Sequence, residues 1–281
     1  MIAAAALGPA LRELGRGGYG VVNAHTLTRE CPAAVKTIHR EIVSEFNLRA
    51  FQREVEISCS LFHPNVVRTY GAVEAAPPLL VLELLVCSLH DLMHAFPRDL
   101  TGRERLELAA GVATGVAFLH WRDIVHADIR LGNVLLDGRM VPKVSDMGTS
   151  RLMTAIGGHS AAAPVNGEYC APERRGLGPA RGDVLAHPRA WDVYSLSVVF
   201  AEVLTGALLV AGGWPGTLAG IRHDGLRGLV GAAHSLNPLE RPSAAALARA
   251  AREAGLEAAA VPRPRGVARG GGGALRLMPR E

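Results

Sequence analysis

At 281 residues, 49% of them hydrophobic, the chain can bury a sizeable core and divide it between two lobes of unequal size. Its longest apolar stretch, residues 198–210, is broken by Glu202 and is shorter than the ~20 apolar residues of a membrane-spanning helix, so no span is expected. The formal charge of +4 does not describe a nucleic-acid-binding body, because Arg263, Arg265, Arg269, Arg276 and Arg280 against Glu281 account for all of it within residues 261–281.

In chain order, the opening MIAAAALGPA has no basic stretch ahead of its brief apolar run and makes a poor secretory signal. Residues 1–10 are read as an N-terminal extension of a protein that stays inside the cell, in the cytoplasm, the nucleus or both. Residues 11–38 alternate apolar and polar around a glycine cluster, LRELGRGGYGVVNAHTL, and run into AAVKTI, which predicts hairpin strands joined by a glycine turn. From Ser44 to Phe62 the period changes. Phe51, Val55 and Phe62 share one helical stripe and Glu54, Ile57 and Leu61 an adjoining one, which predicts a helix with Glu54 inward, ended by His63-Pro64. VVRTYGAV and PLLVLELL supply two more strands, closing a small lobe over 11–83. Residues 84–260 turn mainly helical, with Leu108, Val112, Val116 and Leu119 at the spacing of one buried face, then two short strands, NVLLD and PKVSD. The stretch from Trp191 to Thr205 is apolar nearly all round and predicts a central buried helix. Residues 261–281, rich in Pro, Gly and Arg, are expected to remain an unstructured basic tail. Cys31, Cys59, Cys87 and Cys170 form no CxxC pair, which argues against a disulfide or zinc framework.

Three groups of residues carry chemistry. Gly15, Gly17 and Gly20 form a GxGxxGxV run whose backbone amides can approach phosphate oxygens unobstructed. A Rossmann turn would need a helix straight after Gly20, whereas Val21 and Val22 read as strand; a plain hairpin turn fits equally well. Next comes Lys36. Of 30 basic residues only Lys36 and Lys143 are lysine, so a lysine here is a candidate for a task that a planar guanidinium does not perform. Glu54 can hold its ammonium, whereas Glu56 lies about 200° round the helix. The third group is HADIRLGNVLL followed by Asp146-Met147-Gly148 at a strand end. Phosphoryl transfer needs cations on the phosphates and a carboxylate to orient the attacking hydroxyl. Asp128 can accept the hydroxyl proton, and Asn133 and Asp146 offer the hard oxygen donors that Mg²⁺ prefers.

From Leu11 to about Ala250 the chain resembles the eukaryotic protein kinase domain: glycine loop, strand lysine, helix glutamate, HxDxxxxN, DxG, Ala171-Pro172-Glu173 and a buried aspartate-bearing helix follow in that family's order. The resemblance implies an α+β, two-lobed fold, with a small β-rich N-lobe carrying one main helix and a larger, mainly helical C-lobe. It implies transfer of the γ-phosphoryl group of ATP to Ser or Thr of a protein substrate, with ATP and Mg²⁺ as cofactors and a monomeric state. Its catalytic residues would be Asp128, as base, Lys36, on the α/β-phosphates, and Arg130, where Ser/Thr kinases usually place lysine. Glu54 would pair with Lys36, and Asn133 and Asp146 would bind Mg²⁺. Gly15, Gly17, Gly20, Val22, Ala34 and Leu135 would enclose the nucleotide, Leu82 would guard the back of the adenine pocket, and Glu83 to Leu85 would form the hinge. Glu173 would pair with Arg241, and Asp192 would brace the catalytic loop.

Several positions depart from the family pattern: Ala127 for arginine, Met147 for phenylalanine, Asn166 for threonine, and Ser58 where an apolar residue usually stacks toward Met147. A pseudokinase would predict a lost ligand, yet all five of Lys36, Glu54, Asp128, Asn133 and Asp146 are present. GEYCAPE is closer to the Ser/Thr than to the tyrosine-kinase pattern, and with Arg241 it belongs to the protein-substrate version of the fold. In the family the arginine replaced by Ala127 reads a phosphate on the activation segment. Alanine cannot, which implies that Thr149, Ser150, Thr154 and Ser160 need no phosphate for the segment to be set, Arg151, Arg174 and Arg175 being the other arginines nearby. The Ala/Gly/Arg bias is similar to that of kinases carried by some large DNA viruses.

Overall fold

The computed structural model describes residues 2–16, 20–28, 30–38, 45–75, 78–95, 99–152, 167–175, 187–210 and 212–260. Gly17, Thr154, Ser160, Asn166 and the 261–281 tail lie outside them. Five antiparallel strands, β1 (Arg12–Arg16), β2 (Gly20–Leu27), β3 (Cys31–Ile38), β4 (Thr69–Val73) and β5 (Leu79–Glu83), form one sheet in the order β1-β2-β3-β5-β4. Register decides which side chains face the rest of the protein. Val22 sits opposite Lys36 and Lys36 opposite Leu80, while Ala34 sits opposite Leu82, so these five share one face. Ala33, Val35, Val73 and Val81 take the other face, where they are at most 1% exposed.

That second face is covered by the start of the chain. Ile2 pairs with Val73 and Leu7 with Leu27 in single bridges, and both side chains pack on the apolar cluster. Helix α1 (Glu45–Cys59) lies on the first face, packing Phe51 against Ile38 and Leu80. It ends three residues before the expected Phe62. The Ser60 hydroxyl donates back to Ile57 O at 2.7 Å and closes the last turn, which leaves Phe62 75% exposed instead of on the stripe with Phe51.

The remainder is built on helices. α2 (Gly102–Trp121) opens with a capping box, in which Thr101 and Glu104 each accept from the other's backbone N–H, at 3.1 and 2.7 Å. Leu108, Val112, Val116 and Leu119 on its inner face are at most 2% exposed. α3 (Arg189–Thr205) is buried continuously from Trp191 to Val203, as its all-round apolar sequence requires, and Gly206 at φ 81° ends it in the left-handed cap that glycine adopts without strain. α4 (Trp214–Ala219), α5 (Asp224–Ala233) and α6 (Ala244–Ala260) complete the lobe. No helix among the described residues is long and apolar enough to cross a membrane.

Small strands position the loops between these bodies. β6 (Cys87–Ser88), β8 (Val134–Leu136) and β9 (Pro142–Val144) form one sheet, and β7 (Ile124–Val125) pairs with β10 (Arg151–Leu152). The loops after β7 and after β9 are thereby held side by side.

Candidate active site

A cavity of about 650 Å³ lies between the five-stranded sheet and β6-β8-β9. Gly15, Val22, Ala34, Lys36, Leu82 and Glu83 line it from the sheet, Leu85 from the connection after β5, and Asn133, Leu135 and Asp146 from the other side. Gly20 is not among the lining residues. A Cβ on Gly20 would sit 2.0 Å from Thr37 O, so glycine there permits the close approach of β2 to β3.

Within the cavity Lys36 Nζ donates to Glu54 Oε1 at 2.6 Å and to Asp146 Oδ1 at 2.8 Å. Burial alone would lower the Lys36 pKa, but the two carboxylates outweigh it and hold the ammonium above the ordinary lysine range. Glu54 is 4% exposed, and its burial raises its pKa despite Lys36; Glu56 on the same helix is exposed. For Asp146 burial acts upward, yet Lys36 and the Gly148 amide bring the carboxyl below its usual range. Asp146 keeps a left-handed backbone, φ 64°, and a side chain 46% exposed.

Asp128 sits on the loop after β7. Asn133 Nδ2 donates to its Oδ2 at 2.7 Å and to its backbone carbonyl at 2.9 Å, and Arg130 Nε lies 3.6 Å from Oδ2. His126, fully buried, bonds through Nε2 to Ser145 O at 2.8 Å, so that nitrogen carries the proton and Nδ1 accepts from Asp128 N at 3.2 Å. Below the loop, Asp192 is inaccessible to solvent. It accepts from His126 N at 2.8 Å, Ala127 N at 2.7 Å and His120 Nε2 at 2.9 Å, and His120 in particular overcomes the effect of burial and lowers its pKa. These bonds hold Ala127 at φ 65°, a left-handed conformation that costs an alanine about 1–2 kcal/mol.

Asn133 uses its amide N–H groups on Asp128, which leaves its carbonyl oxygen for a hard cation in a cavity that Asp146 also lines; with the lysine ammonium between two carboxylates, this donor set fits a Mg²⁺-bound nucleotide.

The family model for the protein kinase domain matches residues 10–219. The chain belongs to that family. It is 33% identical over 203 residues to a G-type lectin S-receptor-like serine/threonine-protein kinase, RKS1, of Arabidopsis thaliana, covering 69% of this chain and 23% of that protein. Serine/threonine-protein kinase STY17 of the same plant is 30% identical over 194 residues, 68% of this chain and 32% of that protein. Spermatocyte protein spe-8 of Caenorhabditis elegans is 29% identical over 227 residues, 77% of this chain and 41% of that protein. The matched stretch therefore spans less than half of each of these relatives.

Three features of this kinase domain are not visible in its sequence motifs. Lysine scarcity marks Lys143 without naming its partner; its Nζ lies 3.0 Å from Glu83 Oε1, and the same oxygen accepts from Arg68 N at 2.7 Å, so the Glu83 side chain belongs to the framework beside the cavity. Ser58 is buried and lines the rear of the cavity with Met147 and Thr69, whose hydroxyl is buried with no hydrogen-bond partner. Arg174 Nη1 donates to Ala127 O at 2.7 Å from a residue 47 positions away. The Glu173–Arg241 pair does form, at 2.6 and 2.7 Å, with both side chains fully buried.

Proposed function

We propose that this kinase domain catalyses transfer of the γ-phosphoryl group of ATP to serine or threonine hydroxyls of protein substrates. The observation that carries the reading is the junction of Lys36 with both Glu54 and Asp146, 2.6 and 2.8 Å from its ammonium, in a cavity also lined by Asn133, which holds Asp128. Lys36, fixed by Glu54, orients the α- and β-phosphates. Asn133 and Asp146 hold Mg²⁺, which supplies positive charge to the phosphates when bound. Asp128 accepts the proton of the substrate hydroxyl, and Arg130 beside it offers a cation for the transferred group. Val22, Ala34, Leu82 and Leu135 enclose the base, with backbone groups of Glu83 to Leu85 as its polar partners. Gly15 with Gly17 and Gly20 would let the loop approach the phosphates.

Acceptor class rests on GEYCAPE and on two of the relatives being named serine/threonine kinases. Incubating the purified chain with γ-labelled ATP, Mg²⁺ and mixed protein substrates, then hydrolysing the products, tests both parts. Label on phosphoserine or phosphothreonine is expected. Label on phosphotyrosine alone would replace the acceptor class, and ATP binding without any transfer would make the domain a binding module.

A further inference from the structure

Ala127 directly precedes Asp128, and both polar atoms of its backbone are held by charged side chains. An anion takes its N–H, Asp192 Oδ1 at 2.7 Å, and a cation takes its C=O, Arg174 Nη1 at 2.7 Å. The guanidinium of Arg174 is itself seated over the Trp191 ring, 5.2 Å from the centroid, and Trp191 is 8% exposed and adjoins Asp192. Its backbone is anchored as well. Arg174 follows Glu173, whose carboxylate makes the buried two-bond pair with Arg241, and Arg241 also donates to Ser235 O and Ala190 O at 2.9 Å each. On the preceding carbonyl, Thr149 Oγ1 donates to His126 O at 2.9 Å. Two consecutive carbonyls before Asp128 are thus pinned from the two ends of the segment between Asp146 and Glu173.

We propose that Arg174 is the positioning residue for Asp128, fixing the Ala127 peptide from the far end of that segment so that the catalytic loop is set without a phosphate. The inference rests on the transfer reading above. The Ala127 methyl has no polar group with which to hold the segment, and a left-handed alanine needs both of its backbone bonds to stay in place. Arg174 supplies the second with a charge-assisted donor that no phosphatase removes.

The test uses the full chain after phosphatase treatment, with kcat and KM for ATP and for casein, and a melting curve for each protein. Arg174→Met is expected to lower kcat tenfold or more with KM for ATP within twofold, because the nucleotide contacts are untouched. Arg174→Lys should recover part of the loss, since an ammonium still donates to Ala127 O. Adding Ala127→Gly to Arg174→Met should also recover part, as glycine adopts a positive φ without the second tether. Arg174→Gln, a neutral donor of shorter reach, is measured alongside and carries the same expectation if Arg174→Met does not fold. A folded Arg174→Met or Arg174→Gln variant within twofold of the parent kcat would overturn the proposal, as would a loss that neither lysine nor Ala127→Gly relieves. If the parent itself transfers no phosphate, the transfer reading falls and the positioning role with it; an active parent indifferent to Arg174 removes the positioning role alone.

Discussion

The charges lining the cleft and those beneath the catalytic loop are built on opposite plans. In the cleft Asp146 is 46% exposed, and Lys36 is shared between two carboxylates. Beneath the loop Asp192 meets three donors and Glu173 meets Arg241 with both side chains fully buried. The difference separates groups kept available for a ligand from groups whose own partners already saturate them. Removing the first kind should abolish chemistry and leave the fold standing; removing the second should weaken the fold itself.

The largest effect is expected in the cleft region. Asp128→Asn keeps the size of the side chain and removes the proposed proton acceptor, so the initial transfer rate should fall ~10²–10⁴-fold. Differential scanning calorimetry should place its melting point within about 2 °C of the parent, because asparagine keeps the size of the side chain and a carbonyl oxygen that can accept from Asn133 Nδ2. Next comes the saturated region. Glu173→Gln leaves Arg241 as a buried charge without its counter-ion, and denaturant titration should show a loss of ~3–5 kcal/mol. A loss below 1 kcal/mol would erase the contrast between the two regions.

A smaller effect sharpens the cleft side. With nucleotide at about 100 times its Kd, ATP and Mg²⁺ should stabilise the domain by ~2.7 kcal/mol, and EDTA should remove most of that shift. Asp146→Asn should flatten the difference between the two conditions. An equal ATP shift with and without metal in the unaltered protein would contradict Mg²⁺ ligation by Asn133 and Asp146. The smallest effect concerns the rear wall. Thr69→Val replaces a buried hydroxyl that lacks a partner with a methyl of the same shape, and should raise stability by up to ~1 kcal/mol. A melting point lowered by several degrees would mean that this hydroxyl is satisfied in solution.

Much of this was legible in the sequence because local periods carry it. Alternation around Lys36 fixed its face of the sheet, and a helical stripe separated the inward Glu54 from the exposed Glu56. Order and spacing then brought Asp128, Asn133 and Asp146 to adjoining loops. What escaped depends on contacts between distant positions or on the ends of elements. Phe62 read as the end of a stripe, whereas the turn closed at Ser60, by its hydroxyl and its N–H on Ile57 O, leaves it outward. The opening alanines have no period, so nothing foretold that Ile2 and Leu7 would cover a sheet face. Arg174 reaches Ala127 across 47 positions, and an arginine-rich chain gives such a residue no compositional mark.

Lys36→Met tests the central claim most directly. Methionine keeps similar bulk and removes the ammonium that joins Glu54 and Asp146, so initial rate and melting point report separately on chemistry and on fold. The account predicts a transfer rate reduced at least ~100-fold, ~2.7 kcal/mol in barrier terms, in a protein that still melts cooperatively within a few degrees of the parent. Unchanged turnover with unchanged melting would contradict it, and would return Lys36 to the part of an ordinary strand lysine.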